Sequence, residues 1–187
     1  MMKKMGVGIA LVVIMLLAVI YNHLQQPNNK DVFNITKTWS PATEEVIFIK
    51  EIDGQWLTIF RNQHGFMITE LQQNWLGTWK FKNKSTFAST HYPPSTEDSI
   101  TWGASRPDEE KITYYFGMVM DPEIDRLEVE TRDGLFEEIP FIETEENRFF
   151  FKGVEGESIF MPVNINGFSK SRKLMYSSLQ KVPENQD

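Results

Sequence analysis

Three histidines, a run of alternating carboxylates, a group of tryptophans and one arginine beside a phenylalanine triplet are the residues whose type and spacing bear on chemistry. Histidine is the usual general base near neutral pH. His23, His64 and His91 stand apart, however, and His64 has no His or carboxylate at helical ligand spacing, so each reads as a surface residue. Asp121, Glu123 and Asp125 occupy alternate positions, the spacing with which a calcium loop begins. Such a loop needs Gly at its sixth position and a bidentate Glu at its twelfth, where this chain has Arg126 and Arg132. These carboxylates are therefore weak metal candidates, and the structural expectation is a Pro-containing turn between two strands.

Trp75, Trp79 and Trp102 could form a stacking platform for a ligand, or supply large rings to a core. Arg148 precedes Phe149-Phe150-Phe151 and could pin a carboxylate or end its strand at the surface. These four are the binding candidates. No catalytic residue emerges, because the chain lacks a Gly-x-Ser-x-Gly elbow, a Gly-x-x-x-x-Gly-Lys phosphate loop and a His-Glu-x-x-His helix. With no cysteine, thiol catalysis, disulfides, thiolate zinc sites and iron–sulfur clusters are excluded. No cofactor is expected. A cell-envelope hydrolase using two of the many carboxylates is the alternative to a non-enzymatic role, although no pair is singled out by spacing.

All 26 Asp and Glu follow residue 30, against 16 Lys and Arg there, so this part of the chain has a net charge of −10. Nucleic-acid binding by counterion release is not expected of such a surface. Residues 97–157 hold 18 acids and 6 bases, whereas 31–96 balance at 6 and 6. The excess reads first as a solubilising face, and second as a surface for cations or a basic partner.

Chemistry of any kind needs a scaffold, and the sequence begins with a membrane signal. Residues 5–21 (MGVGIALVVIMLLAVIY) are uncharged and apolar, long enough as a helix for a thin bilayer core. Lys3 and Lys4 precede the run and Lys30 is the next base, which places residues 1–4 in the cytoplasm and the bulk outside. The run exceeds an ordinary signal-peptide core and no Ala-x-Ala site follows it, favouring an anchor; cleavage would instead give a secreted protein.

Residues 22–38, polar and interrupted by Pro27, read as a tether. Ser40-Pro41 with Glu44 and Glu45 predicts a short helix over about 41–51, with the β-branched run from Val46 keeping a strand as the alternative. Beyond it, strands are predicted at 55–61, 66–71, 75–81, 111–120, 126–131, 136–142, 148–152, 159–165 and 173–176. Turns are expected at Gln63-His64-Gly65, Asp133-Gly134, Gly153–Gly156 and Asn166-Gly167, and residues 83–110 form the longest irregular stretch. The fold class is α+β and mainly β: an N-terminal transmembrane helix, then one antiparallel strand-rich domain over 39–176 with one short helix, and a loose tail over 177–187.

Leu76-Gly-Thr-Trp-Lys-Phe81, Thr101-Trp102-Gly103, Tyr115-Phe-Gly-Met-Val-Met-Asp-Pro-Glu-Ile124, Leu127-Glu-Val129 and Arg148-Phe-Phe150 follow one another after a basic anchor. This succession resembles a group of small membrane-anchored or secreted proteins of Gram-positive bacteria. The resemblance spans most of the chain and implies an extracytoplasmic location on a one-membrane cell, but brings no catalytic residue with it. Where that pattern closes on an Asp-x-x-Gly turn, this chain has Asn166-Gly167. The expected role is a membrane-held domain that binds an envelope protein, another envelope component or a small ligand without catalysis.

Overall fold

The computed structural model describes residues 2–52, 54–82, 88–91, 98–105, 112–132, 134–155 and 163–179, with side chains omitted at 2–7, 88, 89 and 91. Helix α1 (Met2–His23) contains the apolar run and is followed by α2 (Asn29–Trp39). Most of the polar 22–38 segment, read as a tether, is thus helical from Asn29 onward. Asn28 caps α2 by accepting from the Asp31 amide at 3.0 Å, Asp31 sits at the positive end of the dipole, and Val32 and Thr36, one turn apart, are buried. The helix predicted at 41–51 is absent. Ser40 instead receives the amide and hydroxyl of Thr43 in a turn, and the β-branched residues beyond it enter strand β1 (Glu45–Ile52), the alternative left open by their side chains.

Strands β2 (Gln55–Arg61), β3 (Gly65–Gln73), β4 (Trp79–Phe81) and β5 (Ala88–His91) complete a first antiparallel sheet in the order β1-β2-β3, with β4 and β5 following each other along the free edge of β3. A second sheet has the order β10 (Phe141–Glu143), β11 (Arg148–Glu155), β7 (Ile112–Val119), β6 (Ile100–Ser105). The third is β13 (Leu174–Ser177), β12 (Ile165–Ser169), β8 (Ile124–Arg132), β9 (Leu135–Ile139). Among the described residues the protein is mainly β, with antiparallel sheets and two helices.

The layers follow from the period of two along each strand. Leu57, Ile59, Phe66 and Ile68 of the first sheet meet Phe116, Met118, Ile142 and Phe149 of the second. From the other face of the second sheet, Ile100, Tyr115, Val119 and Phe150 meet Ile124, Leu127, Val129, Ile139 and Ile165 of the third. The middle sheet is therefore packed on both sides, and β7 is buried without interruption from Thr113 to Val119. Helix α2 closes the remaining face of the first sheet, where Trp39 meets Phe60 edge-on at 6.1 Å and Phe60 stacks on Phe81 at 6.3 Å.

Several predicted boundaries are moved by this packing. Residues 136–142 make two strands, because Pro140 has no N–H for the ladder and the chain changes sheet there: Ile139 pairs with Leu127 and Phe141 with Phe150. Gly153 lies within β11, and Asn166-Gly167 lies within β12, so neither begins the expected turn. The last hairpin turns instead at 170–173, with Arg172 at φ 65°. Part of the expected irregular stretch is strand, namely β5 and β6; Asp133, residues 156–162 and the tail from 180 lie outside the described residues.

Among the described residues, no helix is long and apolar enough to cross a membrane; side chains in α1 are described only from Gly8. Within that part, Ile9, Leu11, Val12, Val13, Ile14, Met15, Leu16, Leu17 and Ile20 are all exposed. Among the described residues, no element of the domain covers them.

Candidate functional site

The last turn of α1 is fastened to the turn between β3 and β4. The Gln73 side-chain amide donates to the carbonyls of Asn22 (3.0 Å) and Gln25 (3.2 Å), and the Trp79 indole N–H donates to the Gln25 carbonyl at 3.2 Å. In return the Asn22 amide donates to the Leu76 carbonyl at 3.2 Å, and the His23 ring nitrogens lie 3.3 Å from Gln73 Oε1 and the Trp75 carbonyl. Gly77 is what permits the approach. It has φ 77°, and a Cβ there would stand 2.7 Å from both Asn22 Cβ and His23 N.

The turn itself is rigid: Asn74 Oδ1 accepts from the Leu76 amide, the Thr78 amide and the Thr78 hydroxyl at 2.9, 3.1 and 2.8 Å. The strand predicted over 75–81 therefore begins only at Trp79. Trp75 is displayed on the turn and is 78% exposed, whereas Trp79 packs edge-on against Trp56 at 5.7 Å.

A groove of about 710 Å³ opens where β1 and the start of β3 face the β10–β11 turn. Glu45, Arg61, Phe66, Glu143, Glu145 and Glu146 are among its lining. Arg61 is occupied by Glu44 (2.9 Å) and Glu45 (3.0 Å), so the groove's negative charge is only partly offset. The turn forming one wall is fixed by Thr144, whose hydroxyl donates to the Asn147 carbonyl at 2.7 Å and accepts from the Asn147 amide at 3.0 Å. Carboxylates carried on such a turn at an open groove can bind ammonium or guanidinium groups, at a strength that depends on salt.

The groove and the fastened end of α1 mark opposite ends of the first sheet. Phe66 lines the groove and Gln73 holds α1, and the seven residue steps between them along β3 span about 23 Å at 3.3 Å per step.

The residues singled out in the sequence are dispersed. Trp102 lies on β6, packed against the core between the second and third sheets, and donates its indole N–H to the Tyr176 hydroxyl at 3.1 Å. It shares no surface with Trp75 or Trp79, and no three-tryptophan platform exists. Arg148 neither meets a carboxylate nor simply ends its strand. Its guanidinium donates to the Ile124 carbonyl at 2.7 Å and to the Asp121 carbonyl, while lying 5.1 Å from the Phe141 ring centroid.

Arg148 thus ties down the turn that holds Asp121, Glu123 and Asp125. Asp121 Oδ1 accepts from the Glu123 amide at 2.9 Å, the bond of a local turn. Among the described residues, no three His, Asp or Glu are grouped to hold a metal ion. His64 sits in the β2–β3 turn, and the side chain of His91 lies outside the described residues.

Sequence reasoning missed both the fastening of α1 and the groove. The first had a local signal in Asn28-Asn-Lys-Asp31, a helix cap that places a folded element directly after the polar segment. The second joins residues about a hundred positions apart and had none. No protein-family profile matches the chain, and no curated protein or solved structure is significantly similar to it.

Proposed function

We propose that this protein is held in the cytoplasmic membrane by α1, with residues 1–4 on the cytoplasmic side, and presents its β-sheet domain outside the membrane to bind a basic partner in the acidic groove without catalysis. The observation behind this reading is the polarity of the first sheet: an apolar helix is fastened at one end, and a groove with unneutralised carboxylates opens about 23 Å away at the other. An α-helix apolar on all sides is stable only when surrounded by protein or lipid, and none of the described residues of the domain surrounds this one. The uncharged run, residues 5–21, measures about 25 Å at 1.5 Å per residue, enough for a thin hydrocarbon core.

The bonds from Asn22 and His23 support retention of the helix over cleavage near Tyr21. The resemblance to membrane-anchored proteins of Gram-positive bacteria belongs to the same proposal, as does the extracytoplasmic side. No observation among the described residues favours a carboxylate-pair hydrolase.

Site-specific photocrosslinking tests the reading. A photoreactive residue at Glu146 in the full chain, expressed in a Gram-positive host, is expected to give a discrete adduct that Glu143→Gln with Glu145→Gln abolishes and that the same residue at Leu135 does not give. Loss of the adduct in high salt is also expected. No adduct above background, or one indifferent to the Gln substitutions, overturns binding in the groove; recovery of the chain in the soluble fraction after alkaline carbonate treatment overturns the anchor.

A further inference from the structure

The turn beside α1 shows an indole to solvent, although a rigid hydrogen-bonded turn has no need of one. Trp75 is 78% exposed and its neighbour Leu76 is 37% exposed. On the helix side of the same junction, Tyr21 and Leu24 are 63% and 75% exposed. Hydrogen bonds from Asn22 to the Leu76 carbonyl and between His23 and the Trp75 carbonyl hold the turn that carries Trp75 and Leu76 against the end of α1 that carries Tyr21 and Leu24. That end is where the uncharged run 5–21 stops.

Charge is sparse at the junction, where Asp31 of α2 borders the hollow beside Asn22, Gly77 and Thr78. Residues 21–29 and 71–79, which form it, contain no Asp, Glu, Lys or Arg, in a chain that is 24% charged. Bringing a protein surface against lipid headgroups removes water from it, and charged groups resist this most. Indole rings favour the headgroup level, where the ring meets the acyl boundary and the N–H stays wet.

The geometry points to Trp75 and Leu76 as a second membrane contact: the β3–β4 turn inserts at the bilayer interface beside α1 and holds the domain in one attitude on the membrane. This rests on α1 being the anchor, and it goes further. A lone helix leaves the domain free to tilt, whereas a helix and an adjacent apolar turn that are fastened together define a plane. The groove at the far end of the first sheet is then directed away from the lipid.

The chain has no cysteine, so single labels can be placed in the whole protein. Leu76→Cys, Ile14→Cys and Glu145→Cys, each bearing an environment-sensitive nitrobenzoxadiazole dye, are reconstituted in vesicles of phosphatidylcholine and phosphatidylglycerol at 3:1. Circular dichroism first verifies that each variant keeps the strand signal. The label at 14 should be quenched most by a nitroxide deep in the acyl chain, and the label at 76 most by a nitroxide near the headgroup. Iodide in the water should quench position 76 at least threefold less than position 145.

Adding Trp75→Ala to the Leu76→Cys chain should raise the iodide quenching at least twofold. If position 14 is lipid-quenched while position 76 behaves like 145, the turn does not insert and the anchor stands. If Trp75→Ala changes nothing, the indole is not the contact and the inference falls. If position 14 is not lipid-quenched, the anchor fails and the inference with it.

Discussion

Phe149 and Phe150 are neighbours in the chain and belong to different cores. Phe149 packs against Phe66 and Phe116 between the first and second sheets, at centroid distances of 5.2 and 6.0 Å, whereas Phe150 lies between the second and third. Both are fully buried. Truncation of either to Ala should therefore cost about 3–5 kcal/mol, and chemical denaturation of the two variants measures it. A loss confined to one substitution would mean that the three sheets do not form two filled layers.

Gly117 sits between Phe150 on β11 and Trp102 on β6, its partners in the two flanking strands. A Cβ at 117 would stand 2.1 Å from the Thr101 carbonyl oxygen and 2.5 Å from the Phe150 ring. The ring can shift but the carbonyl is in the ladder, so Gly117→Ala must force β6 from β7. Destabilisation of about 3 kcal/mol or more is expected. Combining it with Phe150→Leu should not restore stability, because the closer obstacle is backbone; rescue in a thermal melt would count against this account.

The strands that could be recognised in the sequence are those whose side chains show their surroundings. Gln55–Arg61 is legible because Trp56 to Phe60 is rich in apolar and β-branched residues between turn residues, and Leu127 with Val129 against Glu128 and Glu130 alternates across one wet face. Phe149-Phe150-Phe151 required a ring on each face, and the structure supplies a core for both faces. Where side chains respond to distant partners, the pattern misled. Asn166-Gly167 has the composition of a turn, yet Gly167 pairs with Leu127 and Tyr176 within β12, and it is a glycine for packing: Ile124 and Ile100 come within 3.1 and 3.2 Å of where its Cβ would be.

The site was less legible than the fold. Trp75 and Trp79 are at strand spacing, and only the bonds of Asn74 to Leu76 and Thr78 show that one belongs to a turn and the other to a strand. Arg148 has the appearance of an anion-binding residue, but both its partners are carbonyls, and carbonyl positions have no sequence signature. Replacing it with Met should cost about 2 kcal/mol by removing charge-assisted bonds to Asp121 and Ile124. Arg148→Lys should recover less than half of this, because a single ammonium cannot reproduce the fork; urea denaturation of the two variants tests the ranking.

Glu70 has only 2% of its side chain exposed, and its Oε2 is 2.5 Å from Lys82 Nζ. Breaking such a pair leaves a charge without its partner in a buried place, while removing both charges does not. Lys82→Met alone should therefore cost about 3 kcal/mol, and Glu70→Leu with Lys82→Met together should lie within about 1 kcal/mol of the parent. A double-mutant cycle by denaturant unfolding measures the difference. A double variant as unstable as Lys82→Met would show that the pair's geometry matters beyond its charge balance.

Tyr176 gives the fold an alkaline sensitivity. Burial raises its phenol above the ordinary tyrosine value; the hydrogen bond from Trp102 lowers it, Asp98 adds to the rise, and the balance is upward. Between the ordinary value of about 10 and the raised one, the unfolded chain has released this proton and the folded chain still holds it. The stabilisation is thus complete below pH 10 and is lost as pH rises through the folded value. Tyr176→Phe has no such proton, so the fall in its unfolding free energy between pH 8 and pH 11 should be smaller than that of the parent. At pH 8 the substitution should still cost about 1–2 kcal/mol, because the Trp102 indole N–H loses its acceptor. Parallel denaturation curves at the two pH values separate the effects, and an equal alkaline fall in both proteins would show that ionisation of Tyr176 is not coupled to folding.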